Sequence, residues 1–295
     1  MSDYYTQSIR ALQLAGMSER TQEAYTRAVC QLARFYDKSP AEISASELED
    51  YFLHRANVTG WSAATLRIAQ AGVKFFFVNV LQRDWPVLRY LNARRERTLP
   101  CILSREEVFH ALTQVKTFHN YVFLATVYAC GLRLSEALHL QVADVDGARH
   151  MLHVHRGKGA KDRYVPLPQE TLALLRRYWR THRNAVLLFP ALGRGGNQAP
   201  SATRPMAIDS VQGAFRKARV AAGIHKRRVT IHTLRHCYAT HLLEAGVNPR
   251  VIQRNMGHGQ LETTMRYFHL TQKGAEDAYR IIDAEMRGFD HDDDR

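Results

Sequence analysis

Residues 232–236 read HTLRH, and the chain that follows contains Gly257-His258 and then Tyr267. We predict that this stretch begins a helix, in which His232 and Arg235 share one face because residues three apart are neighbours on a helix surface. A guanidinium keeps its charge and can bind phosphate oxygens bidentately, whereas an imidazole accepts or donates a proton near neutrality. The stretch therefore favours phosphate chemistry on a helical scaffold.

The segment GLRLSE at residues 131–136 supplies a second arginine. Arg133 comes just after Gly131, the residue that ends an apolar helix predicted over 121–130. Two arginines can together stabilise the negative charge that develops on a phosphate under nucleophilic attack, so no metal ion is needed. A phenol such as that of Tyr267 is a suitable nucleophile, because it stores the bond energy as a phosphotyrosine.

A β-hairpin is predicted from two short strands at 151–155 and 163–167. Its turn contains the segment GKGAKDR at residues 157–163, which places Lys158 at an exposed tip. A lysine ammonium can reach into a groove on its flexible stem. It can protonate a leaving oxygen, because its pKa falls readily in a cationic, partly dry site.

Each of these residues also has an ordinary structural interpretation. Arg133 has Glu136 three residues away and could form a structural ion pair. His232 and His236 have the spacing of a zinc-binding helix, but Thr233 stands where such a helix carries Glu, so we predict no metal site. The predicted hairpin also carries histidines that we expect on the surface, namely His150, His153 and His155.

The charge balance narrows the class of partner. The 295-residue chain has 41 Lys and Arg against 28 Asp and Glu, a net charge of +13, which favours a polyanion such as nucleic acid. The sequence has no signal peptide pattern and no apolar stretch long enough to span a bilayer. Its four cysteines form no CxxC pair. We therefore expect a cytoplasmic protein with no membrane partner.

The sequence divides into two predicted domains. Residues 1–92 repeat apolar side chains at helical spacing and predict a bundle of four or five helices. Residues 93–102 form a basic linker, and residues 103–288 combine helices with the hairpin in an α+β domain. Residues 289–295 form an acidic tail. The predicted fold class is mainly α with a small β-sheet.

Basic residues outside the chemical motifs are candidate DNA contacts, because Lys and Arg bind phosphates whatever the base sequence. They lie in the linker, on the hairpin and in a loop near the HTLRH segment. The candidates are Arg94, Arg95, Arg97, Lys161, Arg163, Lys226, Arg227 and Arg228.

Taken in order, the chemical segments resemble the motif series of the tyrosine recombinase and phage integrase family. The resemblance covers the whole second domain, and the first domain is similar to the family's helical, SAM-like core-binding domain. It implies that the arginines clamp the phosphate and that the lysine on the hairpin is the general acid. The two histidines assist as proton acceptor and hydrogen-bond donor, and the tyrosine is the nucleophile. The six matching positions are Arg133, Lys158, His232, Arg235, His258 and Tyr267.

The same resemblance implies a reaction and an assembly. Double-stranded DNA is expected to be cut and rejoined through a covalent 3′-phosphotyrosine and a Holliday junction, without cofactor. Two protomers would bind each site and four would form a synapse, with a helix at 275–286 docked on its own domain or on a neighbour. The two-domain form is similar to Xer-type, integron and transposon-borne recombinases. The sequence identifies neither the recombination site nor an accessory protein.

Three other classes of protein share part of this pattern. A type IB topoisomerase has the same active-site plan, but the small N-terminal bundle and the helix after Tyr267 favour a recombinase. A catalytically silent DNA-binding protein is expected to lack at least one of the six residues, and all six are present. A metal-dependent nuclease needs a larger carboxylate cluster than Asp144 and Asp146.

Overall fold

The structure is a computed structural model of the chain, and it describes residues 2–90, 100–155, 162–193, 195, 197–265 and 267. The chain divides into two compact units, Met1–Thr98 and Leu99–Arg295. Within the described residues, none of the helices combines the length and the apolar character needed to cross a bilayer.

The first unit is mainly helical in its described part. Its elements are α1 (Ser2–Leu14), α2 (Glu19–Tyr36), α3 (Ala45–Asn57), α4 (Ala63–Phe75), a π-helical turn (Phe76–Val80) and α5 (Val87–Tyr90). Serines cap two of these helices: Ser44 accepts a hydrogen bond from the backbone N–H of Glu47, and Ser62 accepts one from Thr65.

The core of the first unit consists of the apolar stripes of its helices. Tyr51, Val73 and Phe76 are almost fully buried, as their helical spacing predicts. Helices α2 and α4 approach closely because Gly72 has no side chain, and a Cβ at this position would lie 2.7 Å from Cα of Tyr25. Burial of these side chains stabilises the unit by removing apolar surface from water.

The second unit combines helices packed about one central helix with a small antiparallel sheet in its described part. The strands β1 (Val145–Asp146), β2 (Met151–Val154) and β3 (Arg163–Pro166) lie in the order β1-β2-β3. The helices are α6 (Arg105–Thr113), α7 (Phe118–Cys130), α8 (Leu134–Leu138), α9 (Gln169–His182), α10 (Ile208–Ala221), α11 (Ile231–Glu244), α12 (Pro249–Met256) and α13 (Leu261–Met265). The predicted mainly α fold with a small sheet is confirmed.

Helix α7 explains how the second unit positions its polar residues. Val122, Phe123 and Val127 have no exposed surface, which accounts for the apolar run in the sequence. Helix α11 packs against α7, and Gly131 ends α7 with a left-handed backbone conformation. The first residues of α11 and the segment after α7 are thereby held beside each other.

Candidate active site

Helix α11 carries one arginine and two histidines of the candidate site. Arg235 is buried, with 2% of its surface exposed. Its Nη1 donates a hydrogen bond to the carbonyl of Gly131, and its Nη2 donates to the carbonyl of Met256. These two bonds connect three motifs that are far apart in the sequence, because Gly131 precedes Arg133 and Met256 closely precedes His258.

Gly131 is required at the end of α7 for two separate reasons. Its φ of +60° is a left-handed conformation that residues with a side chain rarely adopt. A Cβ at Gly131 would also lie 2.4 Å from the ring of Tyr238 on α11. The glycine therefore permits the close approach at which its own carbonyl accepts the bond from Arg235.

Glu136 organises three guanidinium groups. Its carboxylate accepts from Nη1 of Arg133 at 2.6 Å and from Nη1 and Nη2 of Arg163 at 2.9 and 2.8 Å. Nη1 of Arg235 lies 3.8 Å away. Burial opposes ionisation of Glu136, but hydrogen bonds and charge from Arg163 and Arg133 outweigh it and lower its pKa to about 2. A buried anion thus offsets part of the positive charge of the arginine cluster.

Arg133 and His258 meet at the end of α12. Nη2 of Arg133 donates to the carbonyl of Gly257 at 3.2 Å, and Gly257 ends α12 in the left-handed conformation predicted for a C-terminal cap. The next residue, His258, has its Nδ1 2.9 Å from Oγ1 of Thr264. The segment that follows α12 therefore positions both Arg133, through the Gly257 carbonyl, and the imidazole of His258.

Tyr267 lies against the histidines. Its ring is buried, with 4% of its surface exposed, and packs with residues of α11 and α12. The Tyr267 hydroxyl is 2.7 Å from Nδ1 of His236. The ring of His258 is nearly parallel to that of Tyr267, with centroids 6.3 Å apart. The structure therefore brings Tyr267 to the same helix that carries His232 and Arg235.

The histidines of the site are held in the neutral form. Burial, together with the charges of Arg235 and Arg133, lowers the pKa of His258 to about 3. Burial and the neighbouring His232 and Arg235 lower the pKa of His236 to about 4. Partial desolvation and the same two arginines also lower the pKa of His232. At neutral pH each imidazole keeps a lone pair that can accept a proton.

Several predicted residues lie outside the described part of the chain. The predicted helix at 275–286 and the acidic tail at 289–295 also lie outside it. The predicted site residues concerned are Arg94, Arg95, Arg97, Lys158 and Lys161.

Arg163 was predicted to contact DNA, and its placement corrects that prediction. The side chain is buried, and besides its two bonds to Glu136 its Nε donates to the carbonyl of Asn255 at 2.7 Å. Every nitrogen of the guanidinium is thus used within the protein. The sequence could not reveal this, because Glu136 and Asn255 are far from Arg163 along the chain.

The basic loop at 226–228 is exposed, as a DNA-contacting loop must be. Arg227 and Arg228 face solvent. Lys226 is also exposed, but its Nζ forms an ion pair with Glu107 at 2.6 Å. Arg227 and Arg228 are therefore better placed than Lys226 to meet a phosphate.

Sequence reasoning missed several residues near the site. His236 was considered only as a zinc ligand, and Glu136 only as a partner of Arg133. A cavity of about 610 Å³ beside His232 is lined in part by Arg216 and Arg219 of α10. Arg216 and Arg219 follow Asp209 at helical spacing, so the three side chains share one face of α10. This spacing is visible in the sequence, but it does not by itself indicate a cavity.

A set of possible metal ligands lies on the sheet. Among the described residues, Asp144, His153 and His155 form the group whose nitrogen and oxygen atoms are close enough to share an ion. The sequence predicted the histidines on the surface and did not bring them together with Asp144. In the structure, Asp144 ends a short 3₁₀ turn and accepts from the N–H of Gln141.

Two family models match the chain. Residues 102–273 match the model described as phage integrase family, and residues 4–87 match the model described as phage integrase, N-terminal SAM-like domain. The first match alone spans more than half of the chain. This chain therefore belongs to the phage integrase family, the tyrosine recombinases, which confirms the family indicated by the sequence motifs.

Similar proteins carry names that agree with this family. A putative integrase/recombinase, y4qK, from Sinorhizobium fredii is 38% identical over 260 residues, which cover 88% of this chain and 82% of the relative. The tyrosine recombinase XerA of Pyrococcus horikoshii is 30% identical over 278 residues, covering 94% and 92% of the two chains.

Solved structures show the same fold. A crystal structure of XerA recombinase is 26% identical, has a TM-score of 0.52, and is covered over 97% of its length by 95% of this chain. A lambda integrase dimer bound to a core site is 14% identical with a TM-score of 0.72, covering 90% of this chain and 94% of that chain. At such low identity the second likeness shows the fold alone.

Proposed function

We propose that this chain is a site-specific DNA recombinase that cuts and rejoins double-stranded DNA through a covalent 3′-phosphotyrosine at Tyr267. The observation that carries the proposal is the buried Tyr267 hydroxyl, hydrogen-bonded to His236, one residue beyond Arg235 on the same helix. A tyrosine needs nearby groups that stabilise a phosphorane and accept its proton, and the contact with His236 brings Tyr267 to the helix that carries Arg235 for the first role and His232 for the second.

The cleavage step follows from these groups. Oη of Tyr267 attacks the phosphorus and forms a P–O bond while the bond to the 5′ oxygen breaks. The phenolic proton passes to a neutral imidazole, and we assign His232 as the proton acceptor from the family motif. The 5′ oxygen takes a proton from Lys158, which we assign from the family motif and the sequence. The covalent bond conserves the energy, so a second 5′ hydroxyl reverses the step and rejoins a strand without cofactor.

The arginines stabilise the charge that develops during this step. Arg133 and Arg235 are held by carbonyls and by Glu136, and a guanidinium has five N–H donors, so both retain donors for non-bridging oxygens. His258 donates a further hydrogen bond. Because these groups are positioned before DNA arrives, little reorganisation is needed in the transition state.

The assembly and the location are part of the same proposal. The net charge of +13 suits DNA, and the lambda integrase of similar fold was solved as a dimer on a core site. We infer that two protomers bind each site and that four form the synapse, where strands pass through a Holliday junction. We further propose that the chain acts in the cytoplasm, which its substrate DNA and its four free cysteines support.

The experiment is a plasmid assay with paired copies of DNA taken from the flanks of this gene. A recombinase converts a plasmid with two copies into deletion or inversion products, and Tyr267→Phe gives none. Relaxation of any supercoiled plasmid without such products would instead support a topoisomerase. Binding without any covalent change would support a silent DNA-binding protein.

A further inference from the structure

A second cluster of chemically active side chains lies where β2 ends and β3 begins. Asp144, His153 and His155 each offer one nitrogen or oxygen atom, and these atoms all lie within 4.8 Å of one another. Asp144 ends the turn before β1, His153 lies within β2, and His155 follows directly after β2. None of the three belongs to the proposed catalytic set.

The sheet aims the three side chains at one point. His153 and His155 are two residues apart, so an extended chain directs both to the same face, and their ring centroids are 3.9 Å apart. The His153 ring is stacked on Tyr164 with an interplanar angle of 12°, which fixes its plane. One carboxylate oxygen of Asp144 contacts Nε2 of His155, and the other accepts the N–H of Gln141 at 2.8 Å.

A fourth ligand lies across the hairpin. Oδ2 of Asp162 is 3.4 Å from Nε2 of His153 and 3.7 Å from Nδ1 of His155. Ligand atoms bound at 2.0–2.1 Å in a tetrahedral zinc site are separated by about 3.3 Å. The separation between Asp162 and His153 is close to that of a tetrahedral site. Because Asp144 contacts Nε2 of His155 whereas Asp162 faces Nδ1, the His155 ring must turn until one nitrogen faces both carboxylates before a single ion is bound by all four residues.

We propose that Asp144, His153, His155 and Asp162 bind one Zn²⁺ ion. Imidazole nitrogens and carboxylate oxygens are zinc ligands, and the two carboxylates balance the charge of the ion. The Asp144 side chain is only 3% exposed, so most of its hydration is already lost, and the Gln141 N–H orients it from behind.

The ion would act on the sheet and not on the reacting phosphate. Its ligands come from the turn before β1, from β2 and from the residue before β3, so one ion would tie the three strands together. Such a tie stabilises the two strands between which Lys158 lies in the sequence, and only the relevance of this to Lys158 rests on the proposed function.

The test is a zinc titration of the tag-free, full-length protein after EDTA treatment and transfer to metal-free buffer. Calorimetry is expected to give one Zn²⁺ per chain with a Kd of about 1 μM or below. Cobalt in place of zinc is expected to give the visible absorption of a four-coordinate ion. The double variant His153→Ala/His155→Ala is expected to bind at least tenfold more weakly, whereas His110→Ala, at an exposed histidine on α6, binds like wild type.

Two results overturn the proposal. One is the absence of stoichiometric binding by wild type at about 100 μM zinc; the other is wild-type affinity in the folded double variant. If circular dichroism shows the double variant unfolded, His155→Gln replaces it, because 47% of that side chain is exposed, and the same loss is expected. Recombination is not a readout, so a failed zinc titration and a failed plasmid assay are separate outcomes.

Discussion

The hydroxyl of Tyr267 lies 2.7 Å from Nδ1 of His236, which directly follows the buried Arg235 on helix α11. Burial and neighbouring positive charge lower the pKa of His236 to about 4, so its ring is neutral at pH 7 and can accept a hydrogen bond from the phenol. This hydrogen bond holds the proposed nucleophile against helix α11, which also carries Arg235, one of the two arginines proposed to bind the phosphate.

Replacing His236 is expected to slow cleavage without weakening DNA binding. In His236→Ala the phenol loses its hydrogen-bond partner and its fixed orientation, and we expect a single-turnover cleavage rate lower by about 10- to 100-fold. DNA affinity in a mobility-shift assay stays within about twofold, because no basic surface is removed. The control is His110→Ala on α6, which is expected to keep the cleavage rate and the DNA affinity of wild type. A cleavage rate in His236→Ala within twofold of wild type would show that this contact is not used.

Glu136→Gln is expected to destabilise the second unit. Removing one member of a buried ion pair leaves uncompensated charge, and here Arg133 and Arg163 would both lose their anion. We expect the free energy of unfolding to fall by about 3 kcal/mol, measured by urea denaturation.

A matched control exists at an exposed ion pair. Glu107→Gln removes the charge that pairs with Lys226 but keeps an amide for the helix cap, and it is expected to cost less than about 1 kcal/mol. Equal losses of stability in the two variants would contradict an organising role for Glu136.

Gly131→Ala and Gly223→Ala separate backbone strain from steric contact. Both glycines have a left-handed φ, +60° and +68°, but a Cβ at Gly223 meets nothing within 4 Å, whereas one at Gly131 meets the Tyr238 ring at 2.4 Å. We expect Gly223→Ala to lower the free energy of unfolding by about 1 kcal/mol and Gly131→Ala by about 3 kcal/mol. Cleavage should fall only in Gly131→Ala, because its carbonyl holds Arg235. Identical effects in urea denaturation and cleavage would contradict this account.

The pH dependence of stability follows from the neutral histidines. His236 and His258 have pKa values of about 4 and about 3 in the folded protein, against about 6.5 when unfolded. Between these values the unfolded state binds more protons, so the free energy of unfolding falls as pH decreases from about 6.5 toward 4. Proton linkage at the two rings gives an expected loss on the order of 5 kcal/mol over this window. Below about pH 4.5, protonation of Glu136 in the unfolded state adds to the loss.

Urea denaturation at a series of pH values measures this effect. The variant His236→Gln/His258→Gln has no titrating ring at either position, so its stability should change less than that of wild type between pH 6.5 and 4. A slope as steep as in wild type would show that other groups cause the loss.

Local signals in the sequence predicted most of the helices and the hairpin. The capping box that begins at Ser104 starts α6, and the glycines after α7 and α12 end those helices, all of which are local patterns. Helix α1 was not predicted, because its sequence is largely polar and its stability depends on the burial of residues such as Leu12 against the bundle. Helix α7 begins at Phe118 rather than 121, since Thr117 takes the N-cap position without a capping hydrogen bond.

The sequence was sufficient to predict which residues form the site, but not which of them are hydrogen-bonded to each other. The residue types and their order were sufficient to select Arg133, Arg235 and Tyr267. Arg163 donates a hydrogen bond to Glu136, and His236 is hydrogen-bonded to Tyr267, although the residues of each pair are more than 20 positions apart in the sequence. Such contacts depend on how α11, α12 and β3 pack, and no local pattern encodes them.

The most direct test of the account is covalent trapping on nicked suicide DNA that carries a site active in the plasmid assay. We predict a slow-migrating protein–DNA band on a denaturing gel for wild type and none for Tyr267→Phe, although both bind the DNA equally. A covalent band formed by Tyr267→Phe would show that another residue is the nucleophile and that Tyr267 is not.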